Sequence, residues 1–165
     1  AREMIRKPYV VREHMYSNGM RKSEVELFNQ QGYLRSSPWA TKAEKAAWKA
    51  QDNSMQVVQT ATGEADEPPS DGQLLRGELM MRGQCMACHT VDGYRSLRRL
   101  LQGRDRESIG NILTMLHEYG EDSPYRSYMP PLVGQPEEIE ALGDYLDHLI
   151  NPPEQEAPAQ EVARR

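Results

Sequence analysis

Cys85-Met86-Ala87-Cys88-His89 decides how the rest of this chain is read, because C-x-x-C-H is the spacing that attaches a c-type haem. Two thioethers must reach the two vinyl groups on one porphyrin edge while the next residue brings an imidazole under the iron. Thiols about one helical turn apart suit that edge. No other cysteine occurs among the 165 residues, so neither thiol has a further cysteine in the chain to pair with. A thioredoxin-like dithiol would follow a strand in a βαβ context, whereas Leu74 to Gln84 reads as a helix leading into the motif. A structural zinc site needs four ligands. His14, His117 and His148 do not form the H-x₃₋₅-H half that would complete one.

Iron held by one histidine has a sixth position to fill, and forty residues beyond His89 stands Tyr128-Met129-Pro130-Pro131-Leu132-Val133-Gly134. The two prolines fix φ and remove two donors, so Met129 is expected in an extended loop and not in a helix. A methionine alone more often fills a core gap. The motif upstream and the Pro-Pro pair make Met129 the candidate axial ligand.

Over residues 71–150 these features together resemble a class I cytochrome c, with its M-P-P loop. The resemblance implies an all-α, cytochrome c-like helical domain around one covalently bound haem c. It further implies Cys85 and Cys88 as attachment points, His89 as proximal ligand and Met129 as distal ligand. In that family a glycine eight positions before the first haem cysteine lies where the first helix crosses an aromatic of the last. Gly77 and Tyr145 occupy those places, and Met81 stands where an aromatic is common. The family also supplies a carbonyl acceptor for the histidine Nδ1 from a proline-containing loop, since a ligating imidazole almost always donates its second nitrogen. This chain departs from that pattern, reading T-V-D-G-Y-R-S-L-R-R-L-L-Q over 90–102. The sequence leaves the acceptor unidentified. Tyr94, Arg95, Arg98, Arg99 and Arg104 could hold propionates by charge-assisted hydrogen bonds, or form a solvated basic face.

Periodicity supplies two further helices. Ile109, Ile112, Leu113 and Leu116 form an apolar stripe within Asp105 to Tyr119. Leu142, Tyr145, Leu146 and Leu149 form another after Pro136-Glu137-Glu138, a good helix opening.

Residues 1–70 read as an amino-terminal docking arm and linker, 71–150 as the haem domain and 151–165 as a flexible tail. In the arm, Ser23-Glu24-Val25-Glu26-Leu27-Phe28 predicts a short helix ending near Gly32, and Thr41 to Ala50 is rich in helix formers. Thr62 to Ser70 reads as a linker. Such an arm buries little alone and should order against the haem domain or another subunit. Arg6-Lys7-Pro8-Tyr9 resembles, over a short stretch, the R-Q-P-W segment of bd-type quinol oxidase subunits; an irregular basic arm packed on a neighbour is the preferred reading.

Charge is segregated along the chain. Residues 1–50 hold ten basic and five acidic side chains, residues 51–165 ten and twenty, and all five lysines lie in the first portion. A haem domain without lysines departs from shuttles that dock through a lysine-rich rim. An acidic cytochrome with a different or permanently bound partner fits better. Only 38% of residues are hydrophobic, with a single Phe, and a porphyrin would supply apolar bulk that the chain lacks. No stretch of about twenty apolar residues is present, so no transmembrane span is expected.

The expected function is single-electron transfer as a non-enzymatic subunit of a membrane-associated respiratory or photosynthetic complex. Its expected partners are other redox subunits, docked through the arm, and no nucleic acid. The resemblance implies a periplasmic location or the outer face of an energy-transducing membrane, with a targeting segment removed or outside this stretch. The alternatives are a haem enzyme or sensor whose open sixth position binds a small ligand or peroxide, a bis-histidine carrier using His117 or His148, and a haem domain kept mainly for assembly.

Overall fold

The computed structural model describes residues 14–36, 69–118, 123 and 129–152. Among them the architecture is all-α, with no strand and only two isolated bridges, Met15 with Arg21 and Thr90 with Ser96.

Six α-helices follow in order: α1 (Val25–Gln31), α2 (Tyr33–Ser36), α3 (Asp71–Gln84), α4 (Leu97–Leu101), α5 (Arg106–Glu118) and α6 (Pro136–Ile150). Three of the starts have a local cause. Ser70 Oγ accepts from Gln73 N at 3.3 Å to cap α3, and Asp105 Oδ1 accepts from Ser108 N at 2.8 Å to cap α5. Pro136 opens α6, where a missing N–H costs nothing. The stripe on α5 is buried at Ile109, Leu113 and Leu116, and α6 buries Leu142 and Leu146.

Helices α3 and α6 cross at Gly77. A Cβ placed there would lie 2.1 Å from the Ala141 carbonyl oxygen and 2.5 Å from Tyr145 Cβ, so only glycine permits this approach. Met81, next to the crossing, is almost fully buried. Arg106 ties the bundle at the other side: its Nε donates to Asp144 Oδ1 at 2.5 Å, and Asp144 also accepts from Gln73. One ion pair thereby links α3, α5 and α6.

The described part of the arm belongs to the same core. Asn18-Gly19 makes a turn, with Gly19 at φ +87° and Asn18 Oδ1 accepting from Met20 N at 3.1 Å, and this turn buries Tyr16 and Met20. A 3₁₀ turn at Lys22–Glu24 leads into α1, close to the predicted helix, and Gly32 at φ +91° breaks it from α2. Phe28 and Tyr33 meet edge to face at 5.3 Å and join the cluster that holds Leu79, Met80 and Leu142. Glu138, buried in the first turn of α6, accepts from Tyr33 N at 2.8 Å and Leu34 N at 3.0 Å. It thus satisfies the orphan donors that open α2. The expected helix over Thr41 to Ala50, most of the linker, and the tail beyond Pro152 lie outside the described residues.

Candidate functional site

Cys85 closes α3, donating its N–H to Met81 O at 2.9 Å. The motif then makes one further turn in which Cys88 N and His89 N both donate to Cys85 O, at 3.1 and 2.9 Å. Both thiols are free and half-buried, and Cys85 packs against the core. That desolvation, with Cys88 nearby as the smaller cause, pushes the Cys85 thiol up to about 12. A zinc ligand or a redox nucleophile has to be a thiolate, and this environment disfavours one at Cys85. Among the described residues no three His, Cys, Asp or Glu side chains cluster as a metal site.

His89 finds the acceptor that the sequence left unnamed. Its Nδ1 lies 3.0 Å from the Arg95 carbonyl oxygen. A carbonyl only accepts, so Nδ1 carries a proton, and in the neutral ring Nε2 is the nitrogen with the lone pair. Arg95 reaches this position through a left-handed backbone at φ 51°, uncommon outside glycine. The loop around it is internally tied: Thr90 Oγ1 donates to Tyr94 O at 2.7 Å and accepts from Gly93 N at 2.9 Å. Ser96 Oγ donates to Val91 O and caps α4 through Arg99 N. A strained residue held by so many neighbours is an over-determined one.

Met129 sits in a non-helical bend, half-buried, and packs against the same apolar cluster that Cys85 borders. The loop after it is locked into the bundle. Gln84, adjacent to Cys85 and buried, donates from Nε2 to Val133 O at 2.8 Å and accepts from Val133 N at 3.0 Å. This two-bond clasp joins the end of the motif helix to the methionine loop, and sequence reasoning missed it. On the other side, Leu132 N donates to Leu116 O at 3.0 Å and His117 Nδ1 donates to Leu132 O at 2.9 Å. His117 therefore works as a loop fastener through that nitrogen.

The arginines of 95–104 are exposed. Arg98 pairs with Asp92 at 2.9 Å and donates to the Leu149 carbonyl, so its guanidinium is already engaged. Arg95 lies over the Tyr94 ring at 5.5 Å. A cleft of about 590 Å³ opens beside Arg98, Arg99, Gln102 and Asn151, but none of the four candidate haem-binding residues lines it.

Compared with protein-family models, curated proteins and solved structures, the chain has no significant match. Among the described residues no helix is long and apolar enough to cross a membrane.

Proposed function

We propose that this chain is a monohaem c-type cytochrome that carries single electrons, as a subunit of a membrane-associated respiratory or photosynthetic complex on the periplasmic or outer face of the membrane. The observation that carries the reading is the geometry of His89. It follows the second of two cysteines on a single turn, and the Arg95 carbonyl holds its Nδ1 so that Nε2 is left for a metal. The donor set fits as well. Cys85, packed against apolar neighbours and disfavoured as a thiolate, suits a neutral thioether sulfur.

In this reading Cys85 and Cys88 would hold the haem and His89 would ligate its iron through Nε2. Met129, presented by a stiff Pro-Pro loop that Gln84 clasps, would supply the second protein ligand. When bound, the haem supplies a one-electron iron couple, and a methionine ligand raises its potential relative to two imidazoles. The remaining work is the protein's. Buried Leu97, Leu101, Leu113 and Leu132 help keep the interior dry, and the helical frame keeps both ligand-bearing segments from moving as the charge changes. Other redox subunits are the proposed partners, met through the amino-terminal arm.

Intact-mass measurement on the mature protein tests the attachment directly, with an increment of one haem expected. A far-red methionine-to-iron charge-transfer band in the oxidised protein is expected to disappear in Met129→Ala. A mature chain with the bare polypeptide mass refutes the proposal.

A further inference from the structure

The stretch that follows Met129 is irregular, yet each backbone N–H from Leu132 to Gln135 has an acceptor. Leu132 N uses the Leu116 carbonyl on α5, Val133 N uses Gln84 on α3, and Gln135 N uses Glu138 Oε2 on α6 at 3.0 Å. Gly134 N is the exception in origin: it donates to Asn29 Oδ1 at 3.1 Å, and Asn29 lies on α1, 105 residues earlier. Two more contacts join the arm to the same place. Gln135 Nε2 donates to the Gln30 carbonyl at 3.0 Å, and Glu138 shares its carboxylate between Gln135 N and the two amides that open α2. Gly134 itself, at φ +140°, leaves no slack. A Cβ there would lie 2.7 Å from Glu138 Oε2 and 2.9 Å from Met80 Cε. Between Gly134 and Met129 stand Pro130 and Pro131, whose fixed φ angles make the connection stiff.

We infer that the amino-terminal segment supplies a positioning residue for the sixth ligand: Asn29 holds the loop that presents Met129, so docking of α1 and α2 sets how firmly Met129 stays on the iron. The inference rests on the cytochrome reading above and goes beyond it, because the arm lies outside residues 71–150. Energetically, the part-buried Gly134–Asn29 hydrogen bond is one of several that fasten this loop, and the loss of one such bond is enough to shift ligand exchange about tenfold. By reciprocity, displacing Met129 must in turn loosen the arm.

The test uses the full haem-loaded chain and imidazole as a competing sixth ligand, followed through the methionine-to-iron band. In Asn29→Ala the imidazole concentration for half-displacement should fall about tenfold and the reduction potential should drop. Asn29→Asp, which keeps an acceptor oxygen, and Glu26→Ala, at an exposed position on α1, should stay within twofold of the parent. A second measurement needs no variant: hydrogen exchange across residues 25–36 should quicken when imidazole replaces Met129. Asn29→Ala within twofold of the parent, or unchanged exchange in the arm, overturns the inference while leaving the cytochrome reading intact. A chain lacking covalent haem, or a haem chain lacking the band, overturns the reading itself and the inference with it.

Discussion

Replacing Glu138 should separate the arm from the helical body at a cost that can be worked from three hydrogen bonds. Oε2 accepts from Tyr33 N at 2.8 Å and from Gln135 N at 3.0 Å, and Oε1 accepts from Leu34 N at 3.0 Å. The side chain is only 5% exposed, so water does not take over these roles in the intact fold. Glu138→Ala strands three donors at about 1–3 kcal/mol each. Water entering the space left behind relieves part of that, which puts the net loss at about 3–5 kcal/mol. Glu138→Gln keeps one oxygen. If that oxygen takes the Oε2 place, two bonds survive in uncharged form and the amide NH₂ faces Leu34 N–H, a loss of about 1–2 kcal/mol. Urea denaturation of the full chain, followed by far-ultraviolet circular dichroism at constant pH, measures both values. An alanine variant within about 1 kcal/mol of the parent, or a glutamine variant as weak as the alanine one, would refute the argument that this carboxylate is the joint.

Other perturbations address the remaining contacts. Gly77→Ala drives a methyl into the Ala141 carbonyl, a backbone atom that cannot rotate away, and should cost at least ~2 kcal/mol in the same denaturation assay. Gln84→Leu keeps the volume but leaves both polar groups of the fully buried Val133 unpaired, so a loss of about 2–4 kcal/mol is expected and, on the proposed reading, weaker methionine ligation as well. In protein made without haem attachment, Cys85 should resist iodoacetamide at pH 8, because a thiol moved from 9.0 to about 12 has a thiolate fraction lower by on the order of a hundred- to a thousandfold. The sign for stability follows: a raised folded value means that this contribution is full below 9.0 and is lost as pH climbs toward 12. A thermal melt of the haem-free chain that is flat across that range would contradict it.

The parts legible in the sequence were those written in local signals. The apolar stripes of α5 and α6, the Pro136 start and the Gly32 stop appear where periodicity and turn chemistry place them, and Gly77 meets Tyr145 as expected. Helix α4 was not read, because Leu97-Arg98-Arg99-Leu100-Leu101 is little more than one turn; its only advance signal is the cap at Ser96. His89's partner was illegible for a different reason. It depends on Arg95 adopting a left-handed backbone, which nothing about an arginine announces. Gln84, Asn29 and Glu138 look like ordinary polar positions on helices. Their roles arise only when segments 49 to 105 residues apart come together, and that is tertiary information. For the candidate site, the motif and the extended Met129 loop were visible, whereas the fastenings that hold them in relation were not.

The clasped segment after Met129 also ties together parts of the chain that are far apart in sequence. Its fastenings reach back 15 residues to His117, 49 to Gln84 and 105 to Asn29, so closing it carries the loop-closure entropy of long-range contacts. The C-x-x-C-H turn, by contrast, draws only on near neighbours, from Met81 to Arg95. On the proposed reading, the two attachment points and the first iron ligand therefore depend on local structure, whereas the sulfur ligand depends on the assembled interior and would report on whether that interior is correctly built.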